Sequence, residues 1–325
     1  MGFWFRTYGR QVALLVLLIG MMMLLGQKSP RMLETVNLLD STRNLTEAGI
    51  LAVGMTLVIM TGGIDLSVGA LLALCGIAFG FCQSRWGVSA GIAGALFTGV
   101  AGGALNGALV SRLMLPPLVV TLATMALFRG VATVVSEAKS YTGFPESFAT
   151  LGRGSWPGAV PVQLYIWIVI SLVGMILVSR MRWGRYVAAV GDNETAARYS
   201  AIGVDGVKMA VYVFNGFLCA VAALIYTSRV STAKADAALG WELDVIVAVV
   251  LGGTAITGGK GTVVGSLLGV LFLGYLRTGF SMVGISSVYQ TITAGALLIV
   301  VSILNQRLGM LSWFGKKREK AGVAA

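Results

Sequence analysis

Residues 163–179 read QLYIWIVISLVGMILVS, residues 180–207 read RMRWGRYVAAVGDNETAARYSAIGVDGV, and residues 208–228 read KMAVYVFNGFLCAVAALIYTS. Two nearly uncharged runs, each long enough to cross a bilayer, therefore flank one polar segment. Arg180, Arg182 and Arg185 crowd its front, and Arg198 and Lys208 follow. Its middle predicts a short capped helix. Asp192 or Asn193 can accept hydrogen bonds from orphan N–H groups, Glu194 suits the positive helix N-terminus, and Gly203 supplies a left-handed stop. A helix this short does not persist alone in water, so it is expected to pack on something. In a chain otherwise made of apolar runs, this segment is where a soluble partner is met.

The same alternation extends outward in both directions. Of 325 residues, 57% are hydrophobic and 11% are charged, and the mean hydropathy is +0.86. A soluble domain is roughly 45–50% apolar and about 25% charged, so these charges cannot coat a globule of this size. The expectation is a single all-α, polytopic membrane domain covering residues 1–325. Ten apolar runs are candidate spans: 11–27, 47–61, 68–84, 88–110, 117–135, 163–179, 208–228, 243–258, 262–280 and 286–304. Arg6 and Arg10 precede the first, and no small-residue cleavage site follows it, which predicts an uncleaved signal-anchor. Longer polar pieces fall at 28–46, 136–162 and 180–208. With the N-terminus cytosolic, lysines and arginines divide about 14 to 9 in favour of the side holding both termini, the 180–208 segment and the basic tail 305–325. Ten spans satisfy the even number that this arrangement requires.

Several chemistries are disfavoured. The chain has no histidine, the commonest general base and metal ligand. Cys75, Cys82 and Cys219 have no CxxC spacing and read as buried thiols acting as small hydrophobes. The net charge of +11 is spread between apolar runs, so it marks orientation in a bilayer and not a nucleic-acid face. Gly258-Gly259-Lys260-Gly261-Thr262 superficially matches a phosphate loop. It fails because glycine follows the lysine and Thr254 occupies the place of the first glycine. No catalytic site, metal or bound cofactor is expected.

Glycine is abundant, at 44 residues. Gly94, Gly99, Gly102, Gly103 and Gly107 fall in one run and Gly261, Gly265 and Gly269 recur in another, which suits close helix packing or, alternatively, a pore lining. MTGGIDLSVGALLAL faintly echoes LGGTAITGGKGTVVGSLLG, with Gly62–Gly63 matching Gly252–Gly253, as duplicated transporter halves would. The segment from Gly62 to Gly69 is either a tight turn between spans, with Asp65 or Ser67 capping the next helix, or a broken-helix element beside a conduction path. Arg129 lies midway along its run, where a guanidinium either faces a pathway or snorkels to the interface. Glu47, Glu242 and Asp244 fall at expected outer span ends.

GGIDLSVG resembles the signature of the membrane permeases of ribose-type, sugar-importing ABC transporters. The likeness continues in family order through Gly103-Ala104-Leu105-Asn106-Gly107, the stretch PPLVVTLATM at 116–125, and Arg129-Gly130. It goes on through Gly191-Asp192-Asn193-Glu194-Thr195-Ala196-Ala197, Val250-Leu251-Gly252-Gly253 and Gly258-Gly259-Lys260-Gly261-Thr262. Ala201 departs from it, standing where the family has glycine. PRMLETVNLL at 30–39 is also similar to the branch that includes rhamnose and autoinducer-2 permeases. The resemblance implies that 184–207 is the cytosolic coupling loop, with Gly191, Asp192, Asn193, Glu194, Ala196, Ala197, Arg198 and Gly203 its key residues. It implies Asp65, Ser67, Asn106, Thr121, Thr124 and Arg129 as translocation-path candidates. The implied partners are two ATPase subunits that use the ATP, a second permease subunit and a periplasmic solute-binding protein meeting loops 28–46, 136–162 and 229–242. The implied location is the bacterial inner membrane, and the implied cargo is a monosaccharide or sugar-like solute.

Three rivals are weaker. An ion-coupled secondary transporter wants carboxylates deep within spans, and Asp65 alone comes near. An intramembrane enzyme wants a nucleophile-and-base constellation that the chain lacks. A passive channel would show flux without any ATPase partner.

Overall fold

A computed structural model describes residues 2–156, 160–297, 299–300 and 303, and the described residues are 79% helical. The helices in order are α1 (Gly2–Lys28), α2 (Thr35–Met60), α3 (Val68–Trp86), α4 (Val88–Ser111), α5 (Pro117–Val135), α6 (Glu146–Arg153) and α7 (Val162–Ser179). They continue with α8 (Arg182–Asp192), α9 (Glu194–Tyr199), α10 (Val204–Val230), α11 (Trp241–Leu251) and α12 (Val263–Met282). A last helical stretch occupies 287–297. Among the described residues eight of these are long and apolar enough to cross a membrane: α1, α2, α3, α4, α5, α7, α10 and α12. The all-α polytopic expectation is met. The run drawn at 243–258 is corrected, because its helix stops after 11 residues at Leu251. The tail 305–325 and the end of the tenth run lie outside the described residues.

The polar piece 28–46 is not the outer loop it was expected to be. After a short 3-10 turn at Pro30–Leu33, α2 begins at Thr35. Its hydroxyls are satisfied within the helix: Ser41 donates to the Asn37 carbonyl, Thr42 to Leu39 and Thr46 to Thr42. Back-bonding of this kind lets a polar stretch remain helical. Glu47, expected at a span end, is fully buried and accepts from Arg229 Nε at 2.8 Å. From Thr46 to Met60 nearly every residue of α2 is buried, so α2 is the hub on which α7, α10, α11 and α12 pack.

The other long piece, 136–162, carries α6 and a two-strand hairpin pairing Ser155 with Pro161 and Trp156 with Val160. A backbone bridge from Tyr141 to Ala233 ties it to the 231–240 turn.

Bare backbone holds the bundle together. A methyl group on Gly216 of α10 would collide with the Gly99 carbonyl of α4, and one on Gly103 with the Tyr212 carbonyl. Gly265 and Gly269 of α12 meet the Gly252 and Ala248 carbonyls in the same way. These glycines serve helix packing, which in lipid relies on close approach and not on hydrophobic drive. Cys75 and Cys219 are buried free thiols, and Cys82 is partly buried and free.

Gly216→Val is therefore expected to destabilise the detergent-solubilised chain by about 1–3 kcal/mol. Gly130→Ala, with nothing within 4 Å of the added carbon, is expected to leave it unchanged. Thermal unfolding compares them, and equal midpoints would refute the close α4–α10 contact.

Candidate functional site

Two of the breaks between helices, after α2 and after α11, converge on one place. After Met60, Thr61 and Gly62 turn the backbone, with Gly62 at φ +80°. After Leu251 the chain turns through Gly253 at φ +94°, Gly258 at +90° and Gly259 at +76°, conformations that only glycine adopts cheaply. The Gly259 N–H donates to the Met60 carbonyl at 2.9 Å. The third participant is Gly191 in α8. A Cβ there would collide with the Met60 carbonyl and the Gly259 nitrogen, and one on Gly258 would approach the Gly191 carbonyl to 2.7 Å and Gly62 N to 3.0 Å. The turn at Gly62, the Gly258–Gly259 pair and the polar segment thus meet backbone to backbone. GGKGT, which imitates a phosphate loop, is spent on this junction, and Thr262 caps α12 by accepting from Gly265 N.

The polar segment itself forms two helices, not one. α8 is amphipathic, burying Gly184, Val187 and Val190 against the bundle while Arg182, Arg185 and Tyr186 stay exposed. Asn193, not Asp192, caps α9: its Oδ1 accepts from Ala196 N at 2.9 Å. Asp192 and Ala196 are exposed, Ala197 is buried, and Tyr199 is 90% exposed. Glu194 accepts from Arg198 at 3.0 Å and Lys208 at 2.6 Å, and Arg198 also bonds Asp205 at 2.6 Å. Burial pushes the Glu194 carboxyl up, but the hydrogen bonds and charges of Lys208 and Arg198 outweigh it and hold it below the usual carboxylate range. These pairs fasten α9 to the start of α10.

The expected left-handed stop at Gly203 is corrected. Gly203 has φ −72° and precedes α10, while Ala201 takes φ +59°. Ile202 N donates to the Ala197 carbonyl and Ala201 N to Arg198, which is a Schellman ending with alanine in glycine's place.

Inside the bundle, α3 follows the first break over a buried polar cluster. Asp65 Oδ1 accepts from Ser67 N at 2.9 Å and Ser67 Oγ at 2.6 Å. Asn106 Nδ2 donates to Ser67 Oγ at 2.8 Å, and Asn215 Nδ2 donates to Asp65 Oδ2 at 2.8 Å. Asp65 closes the turn onto Ser67 and does not cap the first turn of α3. Thr121 donates to the Ile64 carbonyl at 3.1 Å, and Thr124 lies one turn along α5. Five of the six path candidates thus lie in or beside this cluster. Arg129 does not: its Nη1 donates to the Ala235 and Ala237 carbonyls at 2.6 and 2.7 Å, bracing the 231–240 turn.

Asn215 and Tyr212 were missed. The signal for Asn215 was a lone amide in the run KMAVYVFNGFLCAVAAL. The Tyr212 hydroxyl and the Asn106 and Asn215 Oδ1 atoms are buried without partners among the described residues. A cavity of about 270 Å³ lies between the first break and α8–α9, with Gly62, Gly63, Lys208 and Tyr212 in its wall.

A spanning bundle with two broken helices, a polar interior and a surface segment hung on the breaks is a multi-pass membrane permease. The family model described as Branched-chain amino acid transport system / permease component matches residues 37–302, and the chain belongs to that family. It is 38% identical to the ribose import permease protein RbsC of Escherichia coli K12 over 309 residues, 94% of this chain and 95% of that one. Against RbsC of Bacillus subtilis the identity is 37%, covering 86% and 87%. Against the autoinducer 2 import system permease protein LsrD of Klebsiella pneumoniae it is 38%, covering 89% of each. No solved structure matches the chain. The resemblance to ribose-type ABC permeases is borne out, and the protein is a multi-pass protein of the inner membrane.

Two substitutions test this geometry. Ala201→Gly is expected to stabilise the α9 ending by about 1 kcal/mol, the usual cost of a left-handed alanine, read as slower amide exchange in α9; faster exchange would sink the Schellman assignment. Asn215→Leu is expected to cost roughly 2–3 kcal/mol by leaving Asp65 Oδ2 unpartnered. Adding Asp65→Asn should recover part of that loss, whereas strictly additive losses would mean that the two side chains are not coupled.

Proposed function

We propose that this chain is one of two permease subunits of an ATP-driven importer for a monosaccharide or sugar-like solute of the ribose, rhamnose or autoinducer-2 type. The observation that carries the reading is the backbone junction of Gly191 with Met60 and Gly259. A segment fastened this way cannot move without moving both helix breaks, so rigid-body motion of a partner at α8–α9 passes into the bundle. The lysine and arginine excess favours a cytosolic position for residues 184–207 and for both termini. There α8–α9 offers Arg182, Arg185, Tyr186, Asp192 and Tyr199 to two ATPase subunits, which use the ATP. This chain binds no cofactor of its own.

On the opposite side a solute-binding protein delivers cargo onto 136–162 and the 231–242 turn. Closure of the ATPase pair draws the two α8–α9 segments together, and the path between the permeases opens alternately to either side. Weak, transient solute contacts suit such a path, since tight binding would slow release. The relatives named for ribose and autoinducer 2 import support the solute class.

Reconstituted with its ATPase and binding protein, the wild-type chain should accumulate solute only with ATP. Gly191→Leu should lower uptake by about tenfold, within the usual range of a coupling free energy. Uptake that outlasts ATP and collapses with the ion gradient would establish the ion-coupled alternative instead.

A further inference from the structure

A cavity of about 380 Å³ opens where α2, α11 and α12 meet, within the roughly 300–1,000 Å³ of small-molecule sites. Its wall combines Asn44, Trp241, Asp244, Arg277 and Thr278 with an aliphatic floor of Val245, Val270 and Leu273. Arg277 lies roughly 20 Å along α12 from its Thr262 cap at 1.5 Å per residue, so the cavity is toward the end of the bundle away from α8–α9. None of these polar residues belongs to the Asp65 cluster.

Three features determine what this cavity can hold. A guanidinium and a carboxylate on the wall are too costly to face lipid, so the opening looks onto water or protein. The two groups are paired, Arg277 Nη2 with Asp244 Oδ1 at 2.5 Å, which cancels their net charge and disfavours an ionic ligand. That single bond leaves Asp244 Oδ2, further guanidinium N–H groups and the Thr278 hydroxyl for a ligand rich in hydroxyls. Trp241, held edge-on to Tyr226 at 5.5 Å, adds an indole to the wall, a group able to cover the C–H side of a sugar ring.

We propose that this cavity is a solute-holding station of the permease, taking a small, neutral, polyhydroxylated molecule between the Asp244–Arg277 pair and Trp241. The proposal rests on the importer reading and adds the solute-contacting residues to it. The site offers exchangeable polar contacts, as a way-station needs for rapid release.

The test places Thr278→Cys on a Cys82→Ser background, leaving only the buried Cys75 and Cys219. The full chain is reconstituted in vesicles and treated with a membrane-impermeant thiol reagent, with ribose, rhamnose or autoinducer-2 present in turn. Labelling is expected, and at least one of the three should slow it about tenfold once it reaches about ten times its dissociation constant. Adding Asp244→Asn should remove the protection while labelling persists. No labelling, labelling that none of the three slows, or protection that survives Asp244→Asn would each overturn the proposal. ATP takes no part in this measurement. If uptake proved independent of ATP, the importer reading would fail while the protection stood.

Discussion

Everything in this molecule that can transmit motion depends on a place where no side chain fits. Met60, Gly62, Gly191, Gly258 and Gly259 bring three chain segments together through backbone alone. Side-chain contacts between helices are compliant, because rotamers can change and methyl groups can slide. A carbonyl against a glycine Cα has no such freedom. A surface segment joined in this manner to the ends of α2 and α11 acts as part of the same rigid body, and α2 is the helix with the largest buried share of any span. The α8–α9 segment is thus tied to both helix breaks through backbone.

The junction at one end is matched by a hydrogen-bonded carboxylate in the interior. A carboxylate in the hydrocarbon depth of a bundle is tolerated only when other groups solvate it. Asp65 accepts three hydrogen bonds, two from Ser67 beside it and one from Asn215 of α10, and Asn106 of α4 joins through Ser67. Those elements are also the ones the glycines of α4 and α10 draw close. Gly54 serves the same end, since a side chain there would displace the Asn215 amide. Packing and hydrogen bonding thus specify one arrangement between them, and neither would hold the break in register alone.

Much of this was legible in the residues, and the failures share a cause. Long apolar runs gave the spans, and the Gly-Gly pairs gave both breaks, because hydropathy and glycine are local signals. Polar stretches misled wherever tertiary partners decided the outcome. Residues 35–46 look like a loop until their hydroxyls are seen bonding back to the helix, and Glu47 looks interfacial until Arg229, distant in sequence, is placed beside it. Arg129 looked like a pathway group because nothing local reveals that the 231–240 turn presents two carbonyls to it. Gly203 drew the left-handed stop by type, whereas the ladder of α9 ends two residues earlier and forces Ala201 into that conformation. Asn215 escaped notice because its partner Asp65 lies 150 residues away.

The charged groups also divide the molecule into two ends with different tolerances. At α8–α9 the ion pairs link half-exposed Glu194, Arg198 and Asp205, with Lys208 reaching Glu194 from a more buried position. Such pairs are individually weak in water, so they orient the segment without freezing its outer face, which remains free to meet a partner. At the other end the Glu47 carboxylate is completely buried beneath Arg229, while Asp244–Arg277 stays partly exposed on the cavity wall. Removing one partner of a pair with a buried carboxylate is costly, so Glu47–Arg229 fixes the spacing of α2 and α10. In the importer proposed above, motion entering at α8–α9 would pass along α2 and α12 toward that cavity, because both helices run from the backbone junction to its wall.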